Sequence, residues 1–221
     1  MPEPLSGSED GSSALIADDP FHPEVTATSA AFSGMVWDVR RDTFDFTGQQ
    51  ITREYVDHTG AVGVLAIDDE DRVLLIRQYR HPVRQREWEI PAGLLDIDDE
   101  DPLVGAQREL AEEVDLAATQ WAVLSDYQTS PGGSTEAIRV YLARGLSIVS
   151  HDFQREAEEA DMEQRWVALD DLVDAVLARR VQNSLLVVAA LTAHAARARD
   201  WSTLAAADAP WPRRPRKGSS V

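Results

Sequence analysis

The 221-residue chain contains no cysteine. It therefore cannot form disulfides, thiolate zinc sites or a cysteine nucleophile. Histidine is scarce as well, and the five histidines are scattered singly, without the spacing of zinc ligands. A chain without cysteine is typical of a reducing compartment, so we expect a cytoplasmic protein.

Basic residues are few, with 21 lysines and arginines against 39 acidic residues and a net charge of −18. The resulting negative field repels nucleic acid, so we expect no nucleic-acid partner. The basic cluster "RRPRK" at 213–217 is interpreted as a solvated tail. An acidic protein that handles anionic phosphates needs bound cations or a few well-placed arginines.

Long hydrophobic runs are absent, and no segment approaches the roughly 18 to 20 apolar residues that span a bilayer. We therefore expect no membrane partner. The first 20 residues are acidic and lack the basic and apolar regions of a secretory signal. Residues 1–24 are predicted to be a disordered acidic tail.

The order of elements predicts a mixed fold. Strand-like segments occupy 25–57, and two apolar runs, 61–67 and 72–79, flank an acidic turn that predicts a hairpin. A short strand at 88–93 precedes a helix, which Asp101 caps, and further strands and two helices follow. This order predicts a mixed sheet with helices packed on it, either as an α+β fold or as an α/β/α sandwich.

The helix predicted from Pro102 to Val114 has two adjacent faces. Its apolar stripe packs on a sheet, and an acidic arc beside that stripe carries Glu109, Glu112 and Glu113. Glu109 and Glu113 repel each other at i,i+4 near the helix end that disfavours anions. The arc is either a solvated acidic face or a site for a divalent cation, for which carboxylate oxygens are suitable ligands. Helix geometry leaves both interpretations open.

The spacing upstream resembles the signature of the Nudix hydrolases. Gly93 is followed by Glu100 and, after seven residues, by the Arg-Glu-Leu-Ala-Glu-Glu sequence of 108–113. The chain departs from the family pattern in two places. The spacer after Gly93 is one residue longer than usual, which an exposed loop tolerates, and Asp115 replaces a glycine that follows the helix in a left-handed conformation.

This resemblance implies the Nudix fold, an α/β/α sandwich, over residues 58–200. Residues 25–57 would form an extra N-terminal antiparallel sheet for homodimerisation, and 201–221 a flexible C-terminal tail. The implied chemistry is hydrolysis of a nucleoside diphosphate linked to another group.

The resemblance also implies the cofactor and its ligands. Mg²⁺, with Mn²⁺ as a possible substitute, would be held mainly by Glu109 and Glu113. Glu112 and the backbone carbonyl of Ala92 would assist.

Three further roles follow from the same resemblance. Arg108 would orient the carboxylates of the helix, with Glu100 as its ion-pair partner. A glutamate in the acidic loop 151–164 would be the catalytic base, with Glu159 the first choice and Glu158 the second.

Features outside the signature resemble the ADP-ribose pyrophosphatase group. They are "LLIRQYRHPV" before "WEIPAG", the proline at 131, and the N-terminal strands. By this resemblance Arg80 would contact the diphosphate or the terminal ribose. Arg53 and Glu54 would hold the adenine across a dimer, and Trp37 would either stack on the base or lie in an interface or core.

Magnesium-dependent hydrolysis of ADP-ribose to AMP and ribose 5-phosphate is therefore the predicted activity. One alternative is hydrolysis of another nucleotide sugar, such as GDP-mannose, or of a nucleoside triphosphate. The other is a non-catalytic, ligand-sensing Nudix module. Such modules usually pair a degenerate signature with a basic DNA-binding domain, whereas this signature keeps all its carboxylates.

Overall fold

The structure is a computed structural model that describes residues 16–150 and 162–215. The described residues form eleven strands and three helices. In chain order these are β1 (Val25–Ser33), β2 (Asp38–Phe46), β3 (Gln49–Asp57), β4 (Ala61–Ala66), β5 (Arg72–Arg80), β6 (Gln85–Glu89), β7 (Ala92–Leu94), α1 (Pro102–Val114), β8 (Leu116–Gln128), β9 (Ala137–Ile148), β10 (Glu163–Ala168), α2 (Leu169–Leu177), α3 (Ser184–Arg197) and β11 (Ala205–Ala206).

The strands of the described residues form three sheets. An N-terminal antiparallel sheet has the order β1-β2-β3, and a central sheet has the order β11-β8-β9-β4-β7. The central sheet is mixed, because β4 runs parallel to β9 and antiparallel to β7. The third sheet, β10-β5-β6, is antiparallel. The predicted α+β fold with an extra N-terminal antiparallel sheet is confirmed.

The predicted hairpin of β4 with β5 is wrong. All six residues of β4 are buried, and both of its edges are already paired, with β9 and with β7. β5 therefore pairs with β6 and β10 in another sheet, and an isolated bridge from Ile67 to Val73 joins the two segments. A strand that is apolar on both faces belongs in the middle of a sheet, whichever strand follows it in the chain.

The helices cover opposite faces of the central sheet. Val62 and Val64 of β4 belong to one core cluster with Leu110 of α1. Leu65, which points to the other face, belongs to a second cluster with Leu186 of α3. Because successive side chains of a strand alternate in direction, β4 contributes to both cores. The central sheet that contains β4 is the middle layer of the sandwich.

Both ends of α1 follow the sequence prediction. The side chain of Asp101 accepts a hydrogen bond from the backbone N–H of Leu103, and Pro102 begins the helix. Asp115 ends it in the left-handed conformation, with φ of 59°, and its N–H binds the carbonyl of Ala111. The aspartate thus adopts the conformation for which the family pattern uses glycine.

The described part of the segment after α3, residues 198–215, packs against the rest of the domain. β11 pairs with β8, and the ring of Trp211 lies 5.0 Å from the guanidinium of Arg139. In the described part of the chain, no helix is both long and apolar enough to cross a membrane.

Candidate functional site

Two carboxylates of α1 converge on the backbone of β7. Glu113 is only 6% exposed, and its Oε2 accepts a hydrogen bond of 2.9 Å from the N–H of Ala92. Glu109 lies against Gly93 so closely that a Cβ added there would be 2.0 Å from Oε1 of Glu109. The glycine therefore provides the space in which Glu109 reaches the strand, while Ala92 holds Glu113 beside it.

Arg108 forms a two-point ion pair with Glu100 across the loop. Its Nε donates to Oε1 at 3.0 Å and its Nη2 donates to Oε2 at 3.1 Å. Glu100 folds back over Gly105, where an added Cβ would be 2.8 Å from Oε2. The hydrogen bonds that Arg108 donates to Glu100 raise the pKa of Arg108, against the opposing effect of burial. The predicted contact between Arg108 and Glu100 is confirmed.

The same guanidinium reaches two glutamates of its own helix. Nη1 of Arg108 lies 2.6 Å from Oε1 of Glu109 and 3.1 Å from Oε2 of Glu112. This positive charge offsets the repulsion among the carboxylates. With the side chains in this arrangement, no group of three or more histidine or acidic residues within 16–150 and 162–215 is placed to hold a metal ion.

The residues nevertheless fit a hard divalent cation. Glu109 and Glu113 lie one turn apart on α1, and both approach the two-residue stretch 92–93, so their oxygens share one small region. Carboxylate and backbone carbonyl oxygens are the ligands that Mg²⁺ and Mn²⁺ prefer. Glu109 and Glu112 are paired with the guanidinium of Arg108, a positive charge that a bound cation would replace at these carboxylates.

Arg80 lies at the end of β5 and forms a two-point pair with Glu89. Its Nε and Nη2 donate at 2.8 and 2.6 Å, and Glu89 is only 2% exposed. The hydrogen bonds with Glu89 raise the pKa of Arg80 in spite of burial, and the charge of Glu113 adds to this effect. The structure therefore places Arg80, the predicted phosphate ligand, within electrostatic reach of Glu113 on α1.

Sequence reasoning missed Glu89. A signal was present, because Glu89 is the last residue of β6, directly before the apolar Ile90 and the turn into β7. A charged side chain at an inward position needs a partner, and the side chain of Arg80 on the adjacent strand β5 supplies it, although the residue of β5 in register with Glu89 is Ile76. Recognising the pair would have required knowing that β6 lies beside β5.

Arg53 and Glu54 lie elsewhere, on β3 of the N-terminal sheet. Arg53 binds the carbonyl of Thr52 at 2.9 Å, and Glu54 binds Arg41. Both line a groove of about 790 Å³ between this sheet and the segment that follows β8, and its described lining includes none of the α1 carboxylates. Within one chain, these two predicted residues are not brought together with the α1 site.

Trp37 stacks on His58, with ring centroids 5.6 Å apart and an angle of 25° between the planes. His58 is only 5% exposed, and its Nδ1 accepts a hydrogen bond from the N–H of Gly60. Burial lowers the pKa of His58, while the charge of Glu136, 3.4 Å from Nε2, opposes this shift. One face of the Trp37 ring is thus covered by the imidazole of His58.

The predicted catalytic base lies outside the described residues. Glu158 and Glu159 both fall in 151–161. Their assignment stays a prediction.

Comparison with protein families gives a match to the NUDIX domain over residues 57–190. An ADP-ribose pyrophosphatase of Mycobacterium tuberculosis is 42% identical over 78% of this chain and 83% of its own length. An ADP-ribose pyrophosphatase of Bacillus subtilis is 36% identical, over 72% of this chain and 85% of its own. A methanol dehydrogenase activator of Bacillus methanolicus is also 36% identical, with 76% and 91% covered.

Among solved structures, the fold is similar to the crystal structure of an ADP compounds hydrolase. The TM-score is 0.69 at 19% sequence identity, and the match covers 83% of this chain and 98% of the other. At this identity the similarity supports the fold alone. The assignment of the site depends on the residues of this chain.

Proposed function

The chain belongs to the Nudix family, and from this premise we propose that it hydrolyses the pyrophosphate bond of ADP-ribose to AMP and ribose 5-phosphate. The observation that carries the proposal is the convergence of Glu109 and Glu113 on Ala92 and Gly93. Two relatives that each match more than two thirds of this chain are ADP-ribose pyrophosphatases, which favours this substrate.

The proposed cofactor is Mg²⁺, for which Mn²⁺ can substitute. Glu109 and Glu113 would hold it, with help from Glu112 and the carbonyl of Ala92. A divalent ion held by these residues would neutralise charge on the diphosphate and activate water for attack. In a chain with a net charge of −18, such local positive charge is needed to bind a diphosphate.

The orientation of the metal ligands and the proton transfer are assigned to side chains of the protein. Arg108, held by Glu100, orients the carboxylates of α1, as outer-shell partners of metal ligands commonly do. Glu159, or Glu158 as the alternative, takes a proton from the attacking water, because hydrolysis requires a base within hydrogen-bond reach of that water. Both glutamates are proposed from the family resemblance.

Arg80 is the proposed diphosphate ligand. Its side chain is 45% exposed although its partner Glu89 is buried, so part of the guanidinium faces solvent within electrostatic reach of Glu113. A guanidinium that Glu89 already fixes in direction loses little conformational freedom on binding phosphate.

Adenine recognition is proposed to involve Arg53, Glu54 and Trp37 of a second copy of the chain. Arg53 and Glu54 lie on β3 of the N-terminal sheet and Trp37 lies in the connection from β1 to β2, and the groove that Arg53 and Glu54 line is separate from the α1 carboxylates within one chain. A homodimer that places this sheet over the partner's α1 would complete the site. We also propose a cytoplasmic location, with which the lack of cysteine agrees.

The proposal is tested by comparing turnover of ADP-ribose, GDP-mannose and a nucleoside triphosphate in the presence of Mg²⁺. We expect ADP-ribose to have the highest kcat/KM and to yield AMP and ribose 5-phosphate. A higher value for either rival would refute the substrate assignment. If no substrate of this panel is turned over while ADP-ribose still binds, the sensor interpretation is favoured instead.

A further inference from the structure

Two arginines of the C-terminal basic cluster make specific contacts in the described residues. Arg213 donates a hydrogen bond of 3.0 Å to the carboxylate of Asp18, which is exposed. Arg214 is half-buried, and its Nη2 donates a hydrogen bond of 2.8 Å to the backbone carbonyl of Glu100. The interpretation of this cluster as a solvated tail therefore does not extend to Arg214.

The segment before these arginines is firmly anchored. Arg139 is only 3% exposed and forms a two-point ion pair with Asp126, at 2.8 Å for both contacts. Its other N–H groups donate to the carbonyls of Ala209 at 2.7 Å and Pro210 at 3.1 Å, and Trp211 stacks on it. A buried arginine that uses its whole fork in this way fixes the path of the chain toward residue 214.

Pro215, the residue after Arg214, packs closely against Gly60. A Cβ added to Gly60 would be 3.1 Å from Cδ of Pro215, and Gly60 has a positive φ of 85°. The carbonyl of Gly60 accepts a hydrogen bond of 3.0 Å from the N–H of Leu95, where the loop to α1 begins. Arg214 thus contacts the end of the loop 95–101 at Glu100. Pro215 lies against Gly60, which in turn binds Leu95 at the start of this loop.

We propose that Arg214 is a positioning residue for the divalent-cation site on α1. By holding the backbone of Glu100, it keeps the Glu100 carboxylate against Arg108. The inference rests on the proposed function only in taking α1 as the cation site.

The direction of the effect follows from the partners of Arg108. Its guanidinium is shared between Glu100 on the loop and Glu109 and Glu112 on α1. If Glu100 moves away, the guanidinium of Arg108 loses one of its three carboxylate partners. Its ion pairs with Glu109 and Glu112 then become stronger. Arg108 then competes with a cation for these ligands, so the affinity for the cation falls.

Only one hydrogen bond of Arg214 carries this role. Nη2 binds the carbonyl, whereas Nε is buried with no hydrogen-bond partner among the described residues. An ammonium group can replace a single donor of this kind, although it cannot replace a two-point fork. Arg214→Lys should therefore restore what Arg214→Ala removes.

The test is Mn²⁺ binding to the full chain, measured by electron paramagnetic resonance without substrate. Arg214→Ala should raise the Kd by about 3- to 10-fold, below the roughly 10- to 100-fold expected for direct partners of metal ligands. Arg214→Lys should bind like the parent. Arg213→Ala is the matched control. It should also bind Mn²⁺ like the parent, because the hydrogen bonds of the Arg213 side chain within the described residues are with Asp18.

Three results would overturn the proposal: an unchanged Kd in Arg214→Ala, an equal loss in Arg213→Ala, or no recovery in Arg214→Lys. Thermal unfolding of each variant shows whether a loss follows from general destabilisation. Hydrolysis of ADP-ribose is measured in parallel with the parent. A parent that binds Mn²⁺ without hydrolysing ADP-ribose refutes the proposed reaction but leaves the test of Arg214 valid, whereas a parent that binds no Mn²⁺ refutes both.

Discussion

The backbone N–H of Ala92 donates a hydrogen bond of 2.9 Å to the carboxylate of Glu113, 21 positions later in the chain. This contact fixes α1 against β7 at the point where Glu109 also meets Gly93. The acidic face of α1 is therefore directed at a strand end and is not merely solvated. A carboxylate that is mostly buried in an acidic protein needs such a donor and, for phosphate chemistry, a cation.

Replacing Glu113 by glutamine should abolish most of the metal-dependent activity. The amide oxygen can still accept the hydrogen bond from Ala92, so the fold should persist, but the anionic ligand is lost. We expect kcat/KM for ADP-ribose to fall at least roughly 100-fold, since even outer-shell partners of metal ligands are worth about 10- to 100-fold. Steady-state kinetics at saturating Mg²⁺ measure the effect.

Glu70→Gln is the matched control for Glu113→Gln. Glu70 is an exposed residue that pairs with Arg72 on a surface turn, so its loss should leave kcat/KM unchanged. Parent-like kinetics in Glu113→Gln would remove Glu113 from the metal site.

Adding one methyl group at Gly93 should weaken metal binding. The new Cβ would be 2.0 Å from the Glu109 oxygen and 2.6 Å from its Cγ, so Glu109 must move away from β7. We expect Gly93→Ala to raise the Kd for Mn²⁺ by at least about 10-fold. Isothermal titration calorimetry measures this constant.

Gly132→Ala provides the comparison, because a Cβ at Gly132 would meet no heavy atom within 4 Å. Its Mn²⁺ affinity should equal that of the parent. If the two alanine variants bind Mn²⁺ equally well, the close approach of Glu109 to Gly93 has no role in binding the ion.

The Arg80–Glu89 pair should contribute to stability as well as to the site. Removing one partner of a buried pair costs roughly 3–5 kcal/mol, and the half-exposed position of Arg80 reduces the expected cost of Arg80→Ala to about 2 kcal/mol. The cost arises because the carboxylate of Glu89 remains buried without its cation. Urea unfolding at pH 7 measures the free energy of unfolding.

The double variant Arg80→Ala/Glu89→Gln should recover part of this loss, since it removes the buried charge as well. Equal stability of Arg80→Ala and the double variant would contradict the cost assigned to the unpaired charge of Glu89, and Glu89→Gln alone completes the cycle that gives the coupling energy of the pair. Both variants should bind ADP-ribose less tightly than the parent.

The stability of the protein should fall in mild acid because of His58. Burial lowers the pKa of His58 below its ordinary value of 6.5, so the unfolded chain binds a proton at a higher pH than the folded chain does. The free energy of unfolding therefore rises with pH between the lowered pKa and 6.5. Protonation would also abolish the acceptor at Nδ1 that binds the N–H of Gly60.

Urea unfolding between pH 5 and pH 7.5 tests this dependence. His58→Gln should flatten the slope, whereas His194→Gln, at an exposed position beside Asp170, should keep it. A slope that is identical in the parent and in His58→Gln would assign the acid sensitivity to other groups.

The sequence was sufficient to predict α1 and its two faces. Local rules determine its start at Asp101 and Pro102 and its end at Asp115, and the period of the helix determines which face is apolar. The pairing of Arg108 with Glu100 was predictable only through the family resemblance, since it depends on how the loop folds back over Gly105.

Contacts between distant segments could not be read from the sequence. β4 and β5 are adjacent in the chain, yet they lie in different sheets because β9 and β7 take both edges of β4. Likewise, nothing local indicates that Arg214 reaches the carbonyl of Glu100, 114 positions away. Such pairings depend on sheet order, which hydrophobic patterning leaves open.

The most direct test of the metal-dependent account is a crystal structure with Mn²⁺ and a non-hydrolysable ADP-ribose that has a methylene group between its phosphorus atoms. Anomalous scattering locates the ion independently of the protein atoms. We expect a manganese peak bound by Glu109, Glu113 and the carbonyl of Ala92, with the diphosphate on the same ion and near Arg80. A diphosphate bound without manganese at α1, or manganese bound only elsewhere, would contradict the account.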